Sequence, residues 1–369
     1  MSHANRRSFL KRAGAFALVT ILNPAKWVFA GGPGAKSPTW ASLLEYARWS
    51  PTVHNLQPHK LKVHSDTEAV LYYDPSRLLP VGDPHGVFAT VALGVFMENL
   101  SVAAAPHGRT VEVVELFGPV KMGGTSLQAF ARLRIASATR MEPLNRELIL
   151  SRRTSRKGYD GKVLADSTLE AVRREASSYN HDFLSSSDEQ LIDQIVRLNQ
   201  DTLMEDISSA PMRQELNGLF RYSKEEAAKK ADGLWSRCMG FPGAFMRSVF
   251  QNHEYWSSGF RKPSVQKLYK STFKGTATIG WFSGPFSTSE ELLQAGRMMA
   301  RTWLQITKDG AYIQPFGSLI TNEGGYRRIN ELLTHPTGSD KKIWMLFRTG
   351  YSPEPARSYR LPVDQILIS

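Results

Sequence analysis

Two stretches of the chain line up with two others, as expected of a fold that builds two similar units in series, chance similarity between amphipathic helices being the alternative. Ser42-Leu43-Leu44-Glu45-Tyr46-Ala47-Arg48 lines up with Ser167-Thr168-Leu169-Glu170-Ala171-Val172-Arg173 at an offset of 125, and the same register sets Asn55 against Asn180. Apolar residues in both stretches fall at helical spacing, and Pro51 stops the first. Further on, Gly94-Val95-Phe96-Met97 lines up with Gly296-Arg297-Met298-Met299 at an offset of 202, which also pairs Gly108 with Gly310. Each of those later glycines sits where a helix ends on a left-handed residue. Strand-like runs follow, Thr110 to Leu116 and Ala311 to Gln314. Because the offset grows by 77, the second unit carries an insertion of about that size. Its expected place is 203–273, a stretch of helix formers and aromatics that includes Phe220, Trp235, Phe245, Tyr255, Trp256 and Phe260. The expected halves are 38–140 and 141–369.

Composition narrows the class. A hydrophobic content of 41% with 10% aromatics is globular rather than disordered. A single cysteine, Cys238, excludes an intramolecular disulfide and any cysteine cluster. His54, His59 and His64 recur every five residues, which suits neither a helix face nor a strand face, so no metal site is expected. The net charge is +12, but Arg6, Arg7, Lys11, Arg12 and Lys26 lie in an N-terminal segment without an acid, and its removal leaves +7. No basic block interleaved with aromatics remains, so nucleic acid is not an expected partner.

The first thirty residues look like an export address. Asn5-Arg6-Arg7-Ser8-Phe9-Leu10-Lys11 follows the twin-arginine pattern in all but its first position. The apolar stretch Ala13 to Leu22 is too short to span a hydrocarbon core, and Val28-Phe29-Ala30 offers small residues for cleavage after Ala30. The expectation is a twin-arginine signal over 1–30, a linker over 31–37, passage through the twin-arginine translocase and a periplasmic or exported product, with an uncleaved anchor as the alternative. That route carries folded proteins, often with a cofactor already bound. No other segment is read as apolar enough to cross a membrane. Gly31-Gly32-Pro33-Gly34-Ala35-Lys36-Ser37 lacks the Gly-Lys of a phosphate loop and reads as linker.

Two motifs carry ligand chemistry. In Ser50-Pro51-Thr52-Val53-His54-Asn55-Leu56-Gln57-Pro58, a helix ends in a proline-anchored turn that offers a hydroxyl and two amides, groups able to read a heterocycle edge. Arg152-Arg153-Thr154-Ser155-Arg156 gathers three guanidinium groups and two hydroxyls, the inventory of a phosphate fork. The first resembles the "SPSxxNxQPW" loop of the nitroreductase family, and the second resembles that family's "RRSxR" opening. Gly350-Tyr351 with Arg360-Leu361-Pro362 is similar to the family's terminal segment, and Gln314-Pro315-Phe316-Gly317 to the segment beside the flavin, without its usual acid. The double length and the signal resemble the Acg-like subgroup.

The resemblance implies an α+β, nitroreductase-like fold, with two fused halves forming an intrachain pseudo-dimer. It implies FMN held by Arg152, Arg153, Ser155, Arg156 and Arg360 at the phosphate and ribityl chain. Pro51, Thr52, Val53, Asn55, Gln57, Pro315 and Gly317 would lie against the ring. Each motif occurs once, in different halves, so one FMN per chain is expected. The catalytic residues stay unassigned, since FMN supplies the chemistry and no side-chain acid is demanded. The implied activity is FMN-dependent oxidoreduction between an unidentified small-molecule donor and acceptor. The alternative is a flavin-sequestering protein, with the insertion as its lid and little turnover. A monomer and a homodimer are both open.

Overall fold

The computed structural model describes residues 37–333 and 342–368. The twin-arginine segment over 1–30, and the expected linker up to Lys36, lie outside them.

Helix α1 (Trp40–Ala47) starts at Thr39, whose hydroxyl accepts from the Ser42 amide at 3.2 Å, and it buries Leu43, Leu44 and Ala47. Strands β1 (His59–Val63) and β2 (Glu68–Tyr73) follow, then α2 (Val87–Ala104), β3 (Arg109–Leu116) and β4 (Gln128–Ser137). β4 inserts between β2 and β3, so this part of the sheet runs β1-β2-β4-β3 with every pair antiparallel.

After α3 (Glu147–Ser151) the pattern begins again with α4 (Asp166–Ser178) and β5 (Asp182–Ser186). A helical segment then intervenes: α5 (Glu189–Ser208), α6 (Ala210–Leu219), β6 (Phe220–Arg221), α7 (Lys224–Lys230), β7 (Leu234–Trp235), α8 (Ser236–Met239), α9 (Gly243–Gln251), α10 (His253–Trp256) and α11 (Arg261–Ser271). It begins one helix earlier than the 203–273 expected. β8 (Thr278–Gly284), α12 (Ser289–Lys308), β9 (Tyr312–Pro315), α13 (Ser318–Thr321), α14 (Glu323–Leu332) and β10 (Lys342–Gly350) complete the second unit. Its sheet runs β5-β8-β10-β9, again antiparallel throughout. Finally β11 (Leu367–Ile368) returns to the first sheet and pairs parallel with β1. The fold is α+β, as expected.

The two long helices α2 and α12 join the units. They cross at Gly94 and Gly296, the pair matched in the sequence. A Cβ on Gly94 would lie 2.3 Å from the Leu293 carbonyl oxygen, and one on Gly296 would lie 2.1 Å from that of Val91. Only glycine lets two helix backbones approach this closely.

Val87–His107, at a mean hydropathy of 1.7, is long and apolar enough to cross a membrane, which corrects the sequence reading. Its residues from Ala89 to Ala104 are instead buried inside the protein. Leu93, Phe96 and Leu100 enter the core of the first sheet, while Val91 and Val95 enter that of the second. A helix apolar all round is what burial on every side requires.

Candidate functional site

The turn after α1 is anchored from inside. Asn99 of α2 donates to the Ser50 hydroxyl at 2.7 Å, and Ser50 donates to the Ala47 carbonyl at 2.6 Å. Beyond Pro51 the backbone enters the left-handed region three times, at His54 (φ 48°), Asn55 (φ 60°) and Gln57 (φ 52°). Such conformations cost free energy in non-glycine residues and persist only where surrounding contacts impose them. Here the contacts come from two distant segments. The Asn55 amide donates to the carbonyls of Gly233 (3.3 Å) and Tyr359 (3.1 Å). Gln57 donates to Ala231 (2.9 Å) and accepts from the Leu361 amide (2.9 Å). The turn, the inserted segment and the C-terminal tail are thereby tied together.

Between them lies a cleft that is partly open to solvent. It is lined by Pro51, Thr52, His54 and Asn55 from the turn, and by Arg152, Arg153, Thr154 and Arg156 from the segment after α3. Ala356, Arg357, Ser358 and Arg360 come from the tail. Gly233, Leu234, Trp235, Cys238 and Met239 come from the insertion, and Trp49 completes the wall.

Five of these residues are arginines and none is an aspartate or glutamate. Only Arg153 has a carboxylate partner among the described residues, Glu354 at the exposed edge. Arg152 is 8% exposed, lies over the Trp303 ring at 4.6 Å and donates to the Trp49 carbonyl at 3.2 Å. Arg360 donates to the Ser358 hydroxyl at 2.6 Å. The Nε atoms of Arg152, Arg153 and Arg360 are buried without a hydrogen-bond partner, as is Asn55 Oδ1.

Burial, reinforced by Arg360, Arg357 and Arg153, pushes the Arg152 guanidinium down to about 9. Burial likewise pushes Arg360 down to about 10 and lowers Arg156. His54 is driven down to about 4 by burial and then by Arg156, so its imidazole is neutral at pH 7. Burial raises the Cys238 thiol. Clustered, uncompensated guanidinium groups with unused donors are a site waiting for an anion.

No family model matches the chain, and no curated protein matches it. Among solved structures, the chain is similar to the FMN-dependent nitroreductase NfnB from Mycobacterium smegmatis in complex with NADPH. The identity is 16% over 59% of this chain and 94% of that one, with a TM-score of 0.35. A nitroreductase with bound FMN from Desulfitobacterium hafniense DCB-2 gives 10% identity, 60% and 96% coverage and a TM-score of 0.36. A BluB-like flavoprotein from Clostridium difficile 630 gives 11%, 60%, 95% and 0.36. Likeness at this level leaves the family unassigned, and the site is read from its own residues.

The structure brings Pro51, Thr52, Asn55, Arg152, Arg153, Arg156 and Arg360 into one cleft. Five other expected residues do not line it. Gln57 spends its amide on backbone partners and shapes the turn from beneath. Val53 opens the same 3-10 turn without lining the cleft. Ser155 is fully buried, 2.8 Å from the Ser352 hydroxyl. Pro315 pairs with Phe347 inside the second sheet, and Gly317 starts α13 at the surface.

Sequence reasoning missed Trp49, His54 and the Gly233–Met239 wall. The first two flank residues already singled out. The wall has no local signal, because it arrives from the insertion.

A second, larger groove is lined by Glu98, Ser101, Thr110, Tyr179, Arg297 and Arg301 among others. Its buried cations are paired. Arg297 meets Glu98 at 2.8 Å, and Arg301 meets Glu98 at 2.9 Å, Glu142 at 2.8 Å and Glu175 at 2.8 Å.

Proposed function

We propose that the arginine-lined cleft holds one FMN, and that the chain is a nitroreductase-like FMN oxidoreductase of the double-length, Acg-like kind. The observation that carries this reading is a lining of five guanidinium groups with no aspartate or glutamate among the lining residues, three of them keeping a buried Nε without a hydrogen-bond partner. Those residues fit a phosphate dianion, with Arg152, Arg156 and Arg360 as its donors. Asn55 Oδ1 and the His54 imidazole offer hydrogen bonds to a ring, and Trp235 lies in the same wall as Trp49, whose ring is covered by Arg357 at 3.4 Å. When bound, FMN would supply hydride transfer at N5 between a small-molecule donor and an acceptor. The chain's own part is to fix the phosphate, hold the ring against the Thr52–Asn55 turn and limit water.

A second reading, flavin sequestration, is favoured by one observation: the insertion is hydrogen-bonded directly to that turn, through Gly233 and Ala231. A wall fastened this way restricts entry of a second substrate. The visible spectrum of the purified protein tests flavin binding, and a colourless folded sample that takes up no added FMN refutes it. Anaerobic NAD(P)H then separates the readings, since bleaching marks an oxidoreductase and an inert flavin marks sequestration.

We also propose export by the twin-arginine route. Arg6→Lys with Arg7→Lys should hold the protein in the cytoplasmic fraction, and unchanged periplasmic recovery refutes it.

A further inference from the structure

The tip of the insertion is built from α9, α10 and α11, and it leaves several large apolar groups outside. Met246 and Phe250 of α9 pack inward with Phe220. Phe260, by contrast, is 76% exposed, Tyr255 52% and Leu268 43%. The Arg261 guanidinium lies 4.0 Å from the Tyr255 ring centre and 4.9 Å from that of Phe260, which gathers the two rings at one place. From the N-cap Phe260 into α11, Phe260, Ser264 and Leu268 recur every four residues with Pro263 and Lys267 between them, so they share one face.

The charge of this tip has one sign. Gly243 to Ser271 contains Arg247, Arg261, Lys262, Lys267 and Lys270 against the single acid Glu254. Arg247 is paired with Glu226 at 3.5 Å and Lys270 with Asp193 at 3.0 Å. Arg261, Lys262 and Lys267 have no carboxylate partner among the described residues.

We propose that this tip docks on an anionic lipid surface, with Phe260, Tyr255 and Leu268 entering the headgroup layer and Arg261, Lys262 and Lys267 facing lipid phosphates. Aromatic rings beside unpaired cations suit the membrane interface, where apolar area and anion attraction act together. A second copy of the same tip would set like charges against one another. Gly259 turns the chain here in the left-handed region, and a deformable lipid layer accepts the exposed rings without a matching groove.

The test is sedimentation of the full chain with vesicles of phosphatidylcholine containing 30% phosphatidylglycerol, against phosphatidylcholine alone, in 0.1 M and 0.5 M salt. Because Ala13 to Leu22 are also apolar, the readout is the difference between variants of one chain. Phe260→Ser with Leu268→Ser should weaken binding at least ten-fold. Lys262→Glu with Lys267→Glu should abolish it at 0.1 M salt, since each cation near such a surface accounts for about five-fold. Phe260 is so exposed that these variants should keep the parent's thermal midpoint. Equal binding to both vesicle types, or binding unchanged in both variants, overturns the proposal. So does a fall in oligomeric state caused by Phe260→Ser in the absence of lipid, which would assign the tip to self-association.

Discussion

Arg152→Met should stabilise the ligand-free protein while weakening its hold on FMN, and that opposition of signs is a property of a ligand site rather than of a core. Arg152 titrates near 9 instead of 12.5 because it is buried among Arg360, Arg357 and Arg153. It stays charged at pH 7, so the folded state carries the full unfavourable difference, about 5 kcal/mol at about 1.4 kcal/mol per pH unit. Methionine keeps an unbranched aliphatic stem and removes the charge. It also loses the hydrogen bond to the Trp49 carbonyl, worth about 1 kcal/mol, and the stacking on Trp303, worth about 1–2 kcal/mol. A net gain of about 2 kcal/mol remains, which for a chain of this size raises the thermal midpoint by roughly 2–3 °C. FMN affinity should fall by about 1.5–3 kcal/mol, the value of a charge-assisted hydrogen bond. Thermal unfolding with and without FMN, together with calorimetric titration, measures both quantities. Inorganic phosphate should stabilise the parent and leave the variant nearly unmoved. If ligand-free Arg152→Met melts below the parent, Arg152 is a structural residue and the reasoning fails.

Arg301→Leu should behave in the opposite way, destabilising by about 3–5 kcal/mol in urea unfolding, because it strands Glu142 and Glu175 and leaves Glu98 with Arg297 alone. Gly296→Ala should cost about 3 kcal/mol by prying α2 from α12, whereas Gly310→Ala, left-handed but in open space, should cost only about 1 kcal/mol; equal losses would refute the close helix crossing. Stability should also fall as pH drops from about 6.5 to about 4. His54 and His59 are held neutral in the folded chain, down to about 4 and about 3, so the unfolded chain binds more protons in that window. Each histidine contributes a slope of up to about 1.4 kcal/mol per pH unit, and His54→Gln should remove one share; an unchanged pH slope counts against the burial of its imidazole.

Much of the frame was legible because helix signals are local. The apolar spacing of Leu43, Leu44 and Ala47, and the glycines at 108 and 310, specify helices and their ends without reference to anything distant. Arg152 to Arg156 and the Ser50–Pro58 turn stood out because several unusual residues sit side by side. Other features depend on tertiary contacts. The sequence presents Gln57 as a ligand amide, but its function is fixed by Ala231 and Leu361, which lie far along the chain. Trp235 and Cys238 reach the cleft only because the insertion folds back, and nothing in their own neighbourhood encodes that. The apolar run of α2 was underestimated since its partner surfaces, two separate sheet cores, are visible only in the fold.

The two clefts differ at sequence-matched positions, and the difference bears on the proposal of one FMN per chain. Asn55 and Asn180 both take φ 60° in the segments that follow their respective helices, and His54 lines the first cleft as Tyr179 lines the second groove. Trp303 backs Arg152 in the first, and its match, Ser101, lines the second. At the position of the Asn99–Ser50 hydrogen bond, the second unit has Arg301 bound to Glu175. Substituting a neutral pair by an ion pair brought in Glu98 and Glu142 as well, so that each buried guanidinium there already faces carboxylates. An incoming phosphate would have to displace those carboxylates and then leave them buried and unpaired, which costs several kcal/mol. In the first cleft the same phosphate meets unused Nε donors and relieves repulsion among arginines. The asymmetry therefore follows from which cations have internal partners, independently of cavity size, since the groove with paired cations is the larger of the two.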